Sequence, residues 1–203
     1  MTLEAAISEI KSFWNKDEPF PFGRSDNRDH IDRLNAEFGV AIPTGLQDYV
    51  KNFVPLEDFY FDTVGNPMRI YGIDNLRYKQ EGYNYNPVMK AVIEDWKNSL
   101  FIFADEGADP VIIDFDNLDD GIQKLVHGSG NWDHGETIAD TFGQFLLCSA
   151  AQHHALNNFE EDPIIDDSNG FNLADDAATW YFKNMKNWAG KYYQAWCAVF
   201  VNH

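Results

Sequence analysis

The chain has 203 residues, 44% of them apolar and 15% aromatic, so it can fill a core and is not a disordered polymer. No stretch approaches the roughly 18 uninterrupted apolar residues that a membrane helix needs. Fifteen Lys and Arg against 33 Asp and Glu leave a formal charge of −18, which repels nucleic acid and anionic lipid and attracts cationic partners.

The opening MTLEAAISEIKSFW has no basic segment followed by an apolar block and a cleavage site. Instead Leu3, Ile7, Ile10 and Trp14 fall along one side of a helix, and the expected location is the cytoplasm. Pro19, Pro21 and Gly23 mark a loop, after which Ser25 or Asp26 is placed to cap a second helix that carries Ile31, Leu34 and Phe38 and closes at Gly39. Thr44 is the expected cap of a third, with Leu46, Tyr49, Val50 and Phe53 facing inward, and Pro55 stops it.

From Phe59 the apolar period shortens, and Phe59, Phe61 and Thr63, a Gly65-Asn66-Pro67 turn, then Met68 and Ile70 predict a hairpin. Val88 to Trp96 reads as helical. Leu100 to Ala104 and Val111 to Phe115 predict a second hairpin with a longer acidic loop, followed by a strand from Ile122 to His127 and a GSGNWDHGE loop. Thr137 to Leu156 reads as one long amphipathic helix with Ile138, Phe142, Phe145, Leu146 and Ala150 on its buried side.

Asn157 to Asp176 is acidic and holds neither Lys nor Arg, as expected of a linker or surface loop. A last helix from about Ala174 carries Tyr181, Met185, Trp188, Tyr192 and Trp196, rings that need a docking surface. Helices, then strands, then helices predict an α+β fold: one mostly antiparallel sheet backed by N- and C-terminal helices, with an aromatic-rich C-terminal segment. The expected division is a domain over residues 1–156, its core about 30–150, and an extension over 157–203 packed on it.

Catalytic and metal-binding constellations are weak. Asp105, Glu106 and Asp109 around Gly107 do not have the spacing of a calcium loop, and Asp and Gly suit a turn for ordinary backbone reasons. His127 and His134 lack a His-x-x-x-His spacing, and the adjacent His153 and His154 point in different directions on a helix. Cys148 and Cys197 form no Cys-x-x-Cys and read as buried free thiols. No phosphate loop or nucleophile elbow is present, so neither enzyme activity nor a cofactor or metal is expected. An enzyme would have to work from a pocket lined by Tyr83, Tyr85 and Trp96.

The excess carboxylates are the signal that remains. Asp105, Glu106, Asp109, Asp114, Asp116, Asp119 and Asp120 crowd one stretch, with Trp132, Asp133 and Glu136 following. Alternation along the strand puts Asp114 and Asp116 on one face, opposite Phe115. These ten residues are the expected partner-binding set, a negative face for Lys and Arg of a protein, with Trp132 as an aromatic anchor.

The order LNAEFGVAIPTGLQDYVKNF, a Trp before a strand, FIFADEGADPVIIDF, then NWDHGETIADTFGQFL resembles the SUKH superfamily, which includes Smi/Knr-type fungal cell-wall regulators and many bacterial immunity proteins. Ile42-Pro43 opening a helix, Phe103 to Ile113, and Ile138-Ala139-Asp140-Thr141-Phe142 carry the likeness, over roughly His30 to Ala150. The chain departs from the pattern at Phe53-Val54-Pro55 and at Gly107-Ala108, and the tail after Leu156 has no counterpart. The resemblance implies a non-catalytic α+β domain that binds and neutralises a bacterial toxin, often a nuclease. The alternative it allows is a scaffold or regulatory protein-binding domain.

Overall fold

The computed structural model describes residues 1–23, 27–129, 131–133 and 135–203. Helix α1 (Leu3–Phe13) begins where the Thr2 hydroxyl accepts the Ala5 N–H at 3.3 Å, and it buries Leu3, Ala6, Ile7 and Ile10. Helix α2 (Arg28–Phe38) closes at Gly39, whose φ of 69° is the left-handed stop that glycine takes without strain. Its expected cap, Ser25 or Asp26, lies outside the described residues. Helix α3 (Thr44–Asn52) follows Pro43, so Thr44 is its first helical residue and caps nothing.

Six strands form one antiparallel sheet in the order β1-β2-β5-β6-β7-β8: β1 (Phe59–Phe61), β2 (Met68–Ile70), β5 (Leu100–Glu106), β6 (Asp109–Asp114), β7 (Ile122–Leu125) and β8 (Gly135–Ala139). The connection between β5 and β6 is shorter than expected. Gly107 and Ala108, at φ 61° and 77°, make a two-residue turn whose twist matches the flanking strands.

Where a helix was expected over Val88–Trp96, the chain makes a miniature hairpin of β3 (Tyr85–Asn86) and β4 (Ala91–Val92). Pro87 cannot continue a hydrogen-bonded run, and the Asn86 side chain accepts the Val88 and Met89 N–H groups instead, both at 3.0 Å. Val88, at 90% exposure, has no core to face.

The second departure is at Thr137. Thr137–Ala139 belong to β8, and α4 (Phe142–Asn157) starts only after Thr141, whose hydroxyl accepts the Gln144 N–H at 3.2 Å. Nor is α4 amphipathic. It is buried on nearly every side, because the sheet, α1 and the last long helix all pack on it.

The stretch read as a linker contains a hairpin, β9 (Ile164–Asp167) and β10 (Gly170–Leu173). Helix α5 (Asp175–Trp188) then docks against α4. The helical run breaks at Gly190, φ 56°, and a single 3-10 turn leads into α6 (Tyr193–Cys197). The chain end returns to β10, where the Val201 N–H donates to the Phe171 carbonyl at 2.8 Å.

The sheet separates two environments. On its helix side Phe103 meets Phe142 and Phe145, with ring centroids 4.7 and 5.3 Å away. The segment between β2 and β5 reaches the edge of β5 beyond β2, where Gln80 hydrogen-bonds both the N–H and the carbonyl of Ile102. That amide serves the part of β5 that β2 does not reach. The fold is α+β, a six-stranded antiparallel sheet with flanking helices.

Candidate protein-binding surface

The carboxylates at the Gly107 turn are each met from within the chain. Asp105 lies beside Arg69 (3.7 Å) and Tyr71, and burial pushes its carboxyl up despite both. Glu106 pairs with Lys124 at 2.9 Å and accepts the Thr63 hydroxyl at 3.1 Å. Asp109 accepts the His127 N–H at 2.8 Å and contacts its ring Nδ1 at 2.6 Å. Neighbouring strands place these partners: Arg69 stands opposite Asp105 across β2–β5, and Lys124 stands beside the pair Ala104–Val111.

Arg69 is itself held by Asp58, its Nε 2.8 Å from a carboxylate oxygen. Burial pushes the Asp58 carboxyl up, but hydrogen bonds from Asn75, the Gly72 N–H and Arg69 outweigh it and hold the group below the usual range. Asp58, Arg69 and Asp105 thus form a chain of alternating charge beneath Tyr71, a network that sequence reasoning missed. Its members are 11 and 36 residues apart in sequence, and only the sheet register joins them.

At the far end of β6 the side chains behave differently. Asp114 is 8% exposed and accepts the Asp116 N–H at 2.9 Å and the Asn117 amide at 3.2 Å, so it organises the turn. Burial raises the Asp114 carboxyl, and those bonds with one from Ser99 bring it below the ordinary value. Asp114 and Asp116 therefore do not share an exposed face: β6 ends at Asp114, and alternation ends with it. Asp116, Asp119 and Asp120 stand exposed around a 3-10 turn, with no ion pair or side-chain hydrogen bond among the described residues.

Trp132 is half-buried and packs on Trp96 (5.1 Å) and Tyr83 (5.7 Å), so its ring belongs largely to a cluster over the sheet. Asp133 pairs with Lys97 at 3.2 Å, and Glu136 is exposed on β8. Tyr83 and Trp96 touch at 5.5 Å, but Tyr85 lies apart under Lys79, so the three do not line one pocket.

The histidines are spoken for singly. His153 accepts the Asp62 N–H at 3.0 Å and stacks on Trp14, His154 sits among aromatic rings, and His134 lies outside the described residues. Among the described residues, no three His, Cys, Asp or Glu side chains converge to hold a metal. Cys148 and Cys197 are buried free thiols; burial pushes Cys197 up to about 12 and Cys148 upward as well, so both stay protonated. No helix among the described residues is long and apolar enough to cross a membrane.

The arrangement therefore offers charge and shape to a protein, with carboxylates partly consumed within the fold and partly free. No curated protein matches the chain. The model of the SMI1/KNR4 family (SUKH-1) matches residues 27–148, from the start of α2 to the middle of α4 and including the whole sheet. That span covers more than half of the 203 residues, and the chain belongs to the SMI1/KNR4 (SUKH-1) family.

Proposed function

We propose that this chain is a cytoplasmic, non-enzymatic immunity protein that binds a basic protein toxin of nuclease type and blocks it. Two independent lines support the reading. Family membership points to a protein partner, and the charge of −18 is what a phosphate-attracting surface would bind. The observation that carries it is the set of exposed carboxylates that have no cation of their own among the described residues: Asp116, Asp119, Asp120 and Glu136. Asp105, Glu106 and Asp109 would add to the field but are already paired, and Asp114 acts through the turn it holds.

The test is co-purification with the toxin-like product encoded immediately upstream, followed by a nuclease assay. A tight, salt-sensitive complex that silences the activity is the expected result. A complex that leaves the activity intact would favour the second reading that family membership supports, a regulatory scaffold. No complex at all would remove the immunity reading for that pair.

A further inference from the structure

A groove of about 420 Å³ opens where the first turns of α1, α3 and α4 meet the connection from β6 to β7. Leu3, Ile113, Ile122 and Phe142 form its apolar lining, and Leu118, 50% exposed, stands on its wall. Among the described residues no Lys or Arg lines it. Asp48 stands at its rim on α3, and Asp119 and Asp120 follow Leu118 directly, all three without an ion pair among the described residues. Asp140 also borders the groove but is occupied, accepting the Tyr192 hydroxyl at 2.6 Å and pairing with Lys191 at 2.9 Å.

One wall is unusually open. Gly45 sits in the first turn of α3, and a Cβ there would meet only Phe142 Cδ2, at 3.8 Å. Among the described residues no side chain caps α3, which follows Pro43.

We infer that this groove receives an apolar segment bearing Lys or Arg from the protein partner. The inference rests on the immunity reading and gives that partner a place to bind. Charge complementarity selects the occupant: an apolar floor takes aliphatic or aromatic side chains, and a carboxylate rim without counter-ions takes cations. A second copy would bring another −18 against the first, and anionic lipid or a phosphate ligand would meet the same rim.

Two variants test the groove without touching its packed walls. Gly45→Phe fills it from a helical position where glycine is a poor helix former, and Asp119→Asn/Asp120→Asn removes two exposed charges. Unchanged thermal melts would show that both are folded. Binding is read by calorimetry with the upstream toxin-like product, and by fluorescence anisotropy with a labelled Leu/Lys peptide and its Leu/Glu counterpart. Roughly tenfold or greater weakening of the toxin complex by each variant is expected, with the Leu/Lys peptide alone bound by the wild type. A toxin complex equally tight with Gly45→Phe overturns the groove and leaves the immunity reading standing. If the wild type binds no toxin, that reading falls. The groove is then decided by the peptides: Leu/Lys binding lost in Gly45→Phe supports it, and equal or absent binding overturns it.

Discussion

Lys124 on β7 reaches across β6 to Glu106 on β5, closing an ion pair of 2.9 Å between strands that are not neighbours. Both side chains are less than a third exposed, so the pair works in a medium that screens less than bulk water. Replacing Lys124 with Met leaves Glu106 with the Thr63 hydroxyl alone and is expected to cost about 1–2 kcal/mol. Glu106→Gln in the same chain should recover most of that loss, because the stranded charge is gone. Urea denaturation of the two single variants and the double variant checks this, and strictly additive losses would mean the pair contributes nothing.

His154 predicts a pH dependence. Its ring lies 4.6 Å from Trp180, 5.1 Å from Phe13 and 5.3 Å from Phe159, and Nδ1 has no hydrogen-bond partner among the described residues. Burial, and then the neighbouring His153, lower its pKa to about 4. The unfolded chain titrates near about 6.5, so it binds the proton first. The folded state is therefore favoured fully above about pH 6.5 and loses that advantage as pH falls toward about 4. With the ring partly in contact with solvent, the loss should be about 1–2 kcal/mol. Unfolding of wild type and His154→Phe at about pH 7.5 and pH 4.5 measures it: the variant should gain relative to wild type at the lower pH, and parallel losses would contradict the assignment.

Gly121 opens β7 at φ 71°, ψ −147°, a backbone region that only glycine occupies comfortably. A Cβ there would also stand 2.4 Å from the Ala139 carbonyl oxygen on β8. Gly121→Ala should cost about 3 kcal/mol or more in denaturant melts, since neither the dihedral nor the β8 backbone can give without unpairing the edge strand. A neutral result would show that β8 is not held where it is described.

Much of this architecture is legible in the chain, and the failures have definite causes. Leu3, Ile7 and Ile10 recur at helical spacing and are buried, and Gly39 ends α2 because a left-handed residue is needed there. Thr137–Ala139 misleads because β8 is bulged: Ala139 pairs with Ile122 and Thr137 with Gln123, leaving Ile138 as the extra residue. Ile138 and Ala139 are then both buried, and two adjacent apolar positions before Phe142 look like the start of a helix. The acidic surface shows the deeper difficulty. Asp105 and Asp119 are alike as letters, and only the strand register shows that Arg69 meets the first, while the second, in a 3-10 turn, has no counter-ion among the described residues. The groove between α1, α3 and α4 has no local signature at all, since its walls come from five separate segments.

The aromatic tail closes the core from behind. Trp196 on α6 donates its indole N–H to the Ile138 carbonyl at 2.8 Å and packs on Phe145, while the Tyr181 hydroxyl donates to the Trp196 carbonyl at 3.2 Å. Gln144 on α4 reaches the Trp188 carbonyl at 2.8 Å, so the end of α5 and α6 are both fastened to the first 156 residues. Trp196→Ala should cost about 3–5 kcal/mol through the cavity it leaves, and Trp196→Phe about 1–2 kcal/mol through the unpaired Ile138 carbonyl. A chain ending at Leu156 would lay bare the side of α4 that α5 covers, and is expected to bind a hydrophobic dye and aggregate. The full chain should unfold in one transition, with tail and sheet probes coincident. Two separated transitions, or a soluble and cooperative truncated chain, would make residues 157–203 an independent appendage and would mean that the Trp196 bond to the β8 edge does not couple the tail to the sheet.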